Sequence, residues 1–160
     1  MKTKKQAALI LSVLFIISYA NYSESCTRVV YQGPNNTILT ARSMDWESEI
    51  PANLWIMPRG IERNGEAGVN SVKWKSKYGS IVTSSFNIAS SDGMNEKGLV
   101  ANMLWLVESK YPEFDKSQRG LSIALWAQYV LDNFATVEEA VNELSKREFS
   151  VVSTVIPGTD

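Results

Sequence analysis

Residues 27–32 (TRVVYQ) form a short β-branched run, and residues 37–41 (TILTA) resume it after the turn cluster Gly33-Pro34-Asn35-Asn36. Two such runs joined this way predict a β-hairpin. Residues 54–57 predict a further strand, stopped by Pro58-Arg59-Gly60, and the polar residues 61–70 predict a loop. In residues 71–77 (SVKWKSK) the pattern alternates, with Val72, Trp74 and Ser76 on one face and Lys73, Lys75 and Lys77 on the other. A period of two with a charged outer face predicts a half-exposed strand, suited to a sheet edge. After Tyr78-Gly79, residues 80–88 (SIVTSSFNI) predict the next strand. Asp92-Gly93 and Asn95-Glu96-Lys97-Gly98 predict a turn region. Residues 99–107 (LVANMLWLV) are almost continuously apolar and predict a strand buried on both faces.

Helical spacing takes over further along. Residues 121–134 (LSIALWAQYVLDNF) place Leu121, Ala124, Leu125, Tyr129 and Asp132 on one helical track, and the segment predicts a helix packed on a sheet. Thr136-Val137-Glu138-Glu139 has the form of a capping box. The helix it starts is expected to run to about Lys146, with Val137, Ala140, Val141 and Leu144 facing inward. Residues 150–156 (SVVSTVI) predict a last strand before Pro157-Gly158. Strands and helices mix without repeats or linkers, so one domain is expected over residues 26–160.

The first 25 residues follow another logic. Lys2, Lys4 and Lys5 precede an apolar run over residues 7–20 (AALILSVLFIISYA), and Ser23 and Ser25 stand three and one residues before Cys26. This is the layout of a cleaved secretory signal, too short for a confident membrane span. The expectation is a signal peptide over residues 1–25 and a secreted or periplasmic protein with no stable membrane anchor after processing. The formal net charge is −1, with 16 basic and 17 acidic residues, which removes any electrostatic case for nucleic acid.

Cys26 is the sole cysteine, so no intramolecular disulfide can form, although an exported protein would be permitted one. Cleavage before it would leave a residue carrying both a thiol and a free α-amine. The chain contains no histidine, so neither a Ser-His-Asp nor a Cys-His arrangement can be built. Most catalytic zinc sites become unfavourable for the same reason, and neither metal nor cofactor is expected. The α-amine, with a reference pKa of about 7.7–8.0, is the available base near neutrality. A small buried thiol is the plainer alternative for Cys26.

Cys26-Thr27-Arg28, Ala41-Arg42-Ser43-Met44-Asp45-Trp46, Met57-Pro58-Arg59-Gly60, Asn95-Glu96-Lys97-Gly98-Leu99 and Val155-Ile156-Pro157-Gly158 follow one another in this order. Together they resemble successive motifs of the choloylglycine hydrolase family, the bile salt hydrolases and penicillin V acylases among the N-terminal nucleophile hydrolases. The resemblance implies an α+β fold, a four-layer αββα sandwich of which this chain would hold the N-terminal half. It implies hydrolysis of a non-peptide amide by attack of Cys26, with Arg42 favouring the thiolate and Asp45 orienting the α-amine. A strand-end ion pair is the simpler role for Arg42 and Asp45. Many bile salt hydrolases carry an oxyanion-hole asparagine where this sequence has Trp105. Asn102 lies at an odd offset from it, on the opposite face of a regular strand. A backbone N–H could serve in its place. The Trp105 indole is then a substrate wall or a packed core ring, and Trp46 is a second candidate wall. The substrate implied is a small amide with a flat apolar acyl group, and the assembly a homo-oligomer. The competing expectation is a non-catalytic secreted domain.

Overall fold

The computed structural model describes residues 26–46, 48–106, 109–111 and 113–153. The signal-like residues 1–25, Val107 and the Val155–Gly158 motif lie outside them. Among the described residues no helix is long and apolar enough to cross a membrane.

The predicted hairpin forms. β1 (Arg28–Gln32) and β2 (Ile38–Arg42) pair antiparallel, with Arg28 opposite Arg42. A single 3₁₀ turn over Pro34–Asn36 links them, and Asn35 and Asn36 take the left-handed backbone that asparagine tolerates. The main sheet has the order β3 (Ala52–Met57), β6 (Ser80–Ser85), β7 (Ala89–Asn95), β8 (Val100–Asn102), all antiparallel. β4 (Glu62–Asn64) and β5 (Lys73–Lys75) make a small separate ladder. In it Val72 and Ser76 are buried, Trp74 is half-buried, and Lys73, Lys75 and Lys77 are exposed, as the alternation predicts.

β9 (Gly120–Ser122) leads through a 3₁₀ turn into α1 (Trp126–Asn133). α2 (Val137–Leu144) follows, and β10 (Ser150–Val152) returns parallel to β9. Thr136 caps α2, its Oγ1 accepting from Glu139 N at 3.2 Å, while Glu139 Oε2 accepts from Ala135 N at 2.7 Å.

α1 covers one face of the main sheet. Its buried residues are Ala127, Gln128, Leu131 and Asp132. They meet Val82 and Gly93, while Leu99, Phe134 and Ala140 close a neighbouring apolar cluster. Gly93 has no room for a side chain: a Cβ there would lie 2.7 Å from Leu131 Cδ1 and 2.8 Å from the Ile81 carbonyl oxygen. Gly93→Ala is expected to cost about 1–3 kcal/mol through overpacking. Urea denaturation checks this, and an unchanged midpoint would show that α1 can move aside.

The other face carries Leu54, Ile56, Ile81 and Met94, all well exposed. The register lines up Ile56, Ile81, Met94 and Val100 across four strands.

Several expectations are corrected. Residues 61–70 are not all loop, because β4 lies within them. Asp92-Gly93 is not a turn but the centre of β7. The predicted turn forms at Asn95–Gly98, between β7 and β8, and a further one lies at Phe86-Asn87, both with positive φ, so the strand predicted to run to residue 88 stops at Ser85. β7 escapes the pattern because its buried positions, Ser90, Ser91 and Asn95, are polar and held by hydrogen bonds rather than by apolar packing. Ser90 Oγ donates to Gln128 Oε1 at 2.9 Å and Ser91 Oγ to the Thr83 carbonyl at 3.0 Å.

The apolar run from residue 99 is a strand for only three residues. Leu104, Trp105 and Leu106 are exposed rather than buried on both faces. The helix expected from residue 121 begins at Trp126, because residues 120–122 pair with β10 instead. In α2, Ala140 is buried and Leu144 half-buried, but Val137 and Val141 face water.

Candidate functional site

Cys26 sits just ahead of β1 and is 8% exposed. Backbone pairing continues one step beyond the hairpin strands toward it. Ser43 N donates to the Thr27 carbonyl at 2.9 Å, and Thr27 N donates to Ser43 Oγ at 3.2 Å. The Trp105 backbone N–H donates to Cys26 Sγ at 3.4 Å. The early end of β8 makes this possible: the chain leaves the sheet after Asn102 and crosses over the thiol. In the unprocessed chain the Cys26 nitrogen is a peptide nitrogen, and only cleavage after Ser25 turns it into an amine.

The two tryptophans named from sequence come together. Trp46 and Trp105 meet edge to face, with centroids 5.3 Å apart at 77°. Both line a cleft of about 630 Å³, counted out to its open mouth, with Met44, Phe86, Met103 and Tyr111 also in its wall. Ser85, Ser90 and Ser91 add small polar groups to this apolar lining. The Trp46 indole N–H is buried and has no partner among the described residues.

Arg42 closes β2. Its described hydrogen bonds go to a carboxylate that sequence reasoning missed. Nε donates to Asp92 Oδ1 at 2.7 Å and Nη2 to Asp92 Oδ2, a two-pronged pair between a side chain 7% exposed and one 23% exposed. Asn102 Nδ2 donates to the same Asp92 Oδ1 at 2.9 Å, and Thr40 Oγ1 reaches Asn102 Oδ1 at 3.4 Å. Arg42 Nη1 is buried without a partner among the described residues. Asp45 is exposed, and no described hydrogen bond reaches its carboxylate. Asn102 thus belongs to the Arg42 cluster, and Trp105 to the cleft.

A one-residue bulge sets this arrangement. Ser84 pairs with Ser90 but Thr83 pairs with Asp92, so Ser91 is the extra residue. Ser90 and Ser91 are both buried, and the alternation restarts with Asp92 on the face away from α1. The turn-like dipeptide Asp92-Gly93 was the local signal at this position, and it pointed to the wrong structure.

Two of the ordered motifs prove to be scaffold. Arg59 Nε donates to Glu96 Oε1 at 2.6 Å, joining the 57–60 and 95–99 segments. That hydrogen bond, with one from Gly79 N, holds the Glu96 carboxyl at about 2, below its usual range. Asn95 Nδ2 donates to the Leu131 and Phe134 carbonyls at 2.9 and 2.7 Å, while its Oδ1 accepts from Lys97 N and Leu99 N. It satisfies the end of α1 and the turn after β7 together. Among the described residues no group of three or more His, Cys, Asp or Glu could hold a metal ion.

The family model of the linear amide C–N hydrolases, choloylglycine hydrolase family, matches residues 26–159. Penicillin V acylase of Pectobacterium atrosepticum is 46% identical over 166 residues, spanning 98% of this chain and 44% of that protein. The structure of penicillin V acylase from Agrobacterium tumefaciens superposes with a TM-score of 0.76 at 63% identity, covering 78% of this chain and 39% of that one. A variant of conjugated bile acid hydrolase from Clostridium perfringens gives a TM-score of 0.60 at 22% identity, over 78% of this chain and 38% of that one, and shares the fold. The chain thus spans well under half the length of these relatives. A model match from Cys26 almost to the end of the chain, with a relative of 46% identity along nearly all of it, places the sequence: the chain belongs to the choloylglycine hydrolase family.

Proposed function

We propose that the protein is an exported cysteine amidohydrolase whose nucleophile is Cys26, exposed as the first residue when residues 1–25 are removed. The observation that carries the proposal is the buried Cys26 sulfur receiving the Trp105 N–H beside an apolar cleft walled by two tryptophans. Penicillin V is the favoured substrate. The relatives bearing that name are 46% and 63% identical, against 22% for a conjugated bile acid hydrolase. Conjugated bile salts are the second reading, supported by the shared fold and the same apolar cleft.

The acyl group lies against Trp46 and Trp105, with its amide carbonyl at Sγ. The α-amine takes the thiol proton and sulfur attacks the carbonyl carbon, forming a tetrahedral oxyanion. The Trp105 N–H is a donor for that oxygen, and the Arg42 guanidinium favours the thiolate. The C–N bond breaks as the α-ammonium returns its proton to the leaving nitrogen. Water, deprotonated by the same amine, then adds to the thioester. The C–S bond breaks, releasing the carboxylic acid and the thiol. Asp45, exposed and two residues beyond Ser43, which pairs with Thr27, orients the α-ammonium.

N-terminal sequencing and intact mass of the exported protein, with penicillin V and glycocholate turnover on the same sample, test the proposal. The expected result is a leading Cys26 and faster turnover of penicillin V. A blocked or differently trimmed terminus on an active sample would overturn the mechanism, and faster glycocholate turnover would overturn the substrate assignment.

A further inference from the structure

The hairpin that carries Cys26 is a two-stranded sheet of its own, whereas most of the cleft wall comes from the four-stranded sheet and the segment after β8, with Met44 and Trp46 contributed by the segment that follows β2. Hydrolysis requires the sulfur and the cleft to keep a fixed relation, so the ties between the two sheets matter. Among the described residues the hydrogen bonds that join them are few. Trp105 N meets Sγ, Thr40 Oγ1 meets Asn102 Oδ1, and Arg42 grips Asp92 with both prongs.

The grip on Asp92 is the most directional of these. A planar guanidinium against a planar carboxylate fixes angle as well as distance. Asp92 is itself held rigidly. Asn102 braces Oδ1 at 2.9 Å, the Ser91 bulge precedes it, and Gly93 follows it clamped against Leu131 and Val82.

We infer that Asp92, braced by Asn102, is a positioning residue that sets the Cys26 hairpin over the cleft by gripping Arg42. Asp92 touches neither the sulfur nor the substrate in this role. It acts through Arg42, fixing the guanidinium and holding the end of β2 beside the cleft. Removing the grip leaves the part of the wall built on the four-stranded sheet and the segment after β8 in place and spoils the alignment of sulfur and carbonyl. A misplacement of about 1 Å can lower rate by about 100-fold.

The inference rests on the proposed amidohydrolase reading, and the experiment separates the two. In the processed protein, Asp92→Asn is compared with wild type for penicillin V turnover, with active sites counted by alkylation of Cys26. The expected result is a fall in kcat of about 100-fold with KM changed less than about twofold. Asn102→Ala keeps the ion pair and loosens only the brace, so it covers the case in which Asp92→Asn does not fold. It is expected to lower kcat by roughly tenfold, again at constant KM.

Asp92→Asn at wild-type kcat overturns the inference while leaving the nucleophile untouched. So does a rate loss that tracks the folded fraction and disappears on counting sites, in either variant. Should Asp92→Asn not fold, an Asn102→Ala variant at wild-type kcat overturns it as well. Turnover that persists in Cys26→Ala overturns the amidohydrolase mechanism itself.

Discussion

On the proposed amidohydrolase reading, Cys26→Ala is expected to abolish penicillin V hydrolysis in the processed protein, with kcat/KM falling on the order of 10⁴-fold or more. The substitution removes one sulfur from a site already closed by the Trp105 backbone, and the α-amine stays in place. Cys26→Ser restores a hydroxyl beside the same amine and gives an intermediate rate. Steady-state kinetics with thermal melts on both variants check this. Folded, active Cys26→Ala protein is the outcome that ends the assignment.

The largest effect on stability is expected at Asp132. This carboxylate is fully buried in α1. Its Oδ2 accepts from Arg63 Nε at 2.7 Å and from the Trp74 indole N–H at 2.8 Å, and its Oδ1 from Gln128 Nε2 at 2.8 Å. Its backbone carbonyl also accepts from Lys77 N and Tyr78 N. One residue thus ties the β4–β5 ladder and the following turn to the helix covering the main sheet. Asp132→Ala leaves a guanidinium only 15% exposed without its carboxylate, the Trp74 indole N–H without an acceptor, and Gln128 Nε2 with Ser80 Oγ alone. Breaking a buried pair from one side costs about 3–5 kcal/mol, a large share of the stability of a single domain. Urea denaturation reads the loss. Turnover per folded molecule should stay within about twofold, since none of these groups lines the cleft. A loss under about 1 kcal/mol would show that the cluster relaxes around the gap.

How much of this was legible in the sequence follows from the range of each interaction. The β1–β2 hairpin, the Lys73-Lys75-Lys77 face and the Thr136 cap are set by neighbours within a few residues, and the pattern shows them. Cys26 stands out through its place after a signal-like segment, and its importance through the missing histidine. Trp46 and Trp105 were named as walls and share one cleft.

What the pattern hides is set from far away. Arg42 finds Asp92 fifty residues on, and no local period announces that pair. Asp92-Gly93 has the chemistry of a turn, but Leu131 presses on Gly93 and the segment runs straight as β7. The apolar run from Leu99 promised a long buried strand. Its second half instead leaves the sheet to roof the thiol, which is why Leu104 and Leu106 lie exposed. Val137 and Val141 have helical spacing, but the described elements cover only the Ala140 and Leu144 side of α2.

The face that carries Leu54, Ile56, Ile81 and Met94 is exposed among the described residues. Unfolding therefore has less oil-like area left to uncover than the length suggests. Both the heat capacity of melting and the denaturant slope scale with newly uncovered area. A smaller heat capacity of unfolding broadens a stability curve in temperature. Any layer laid over that face would steepen the curve before it altered a single bond at the sulfur.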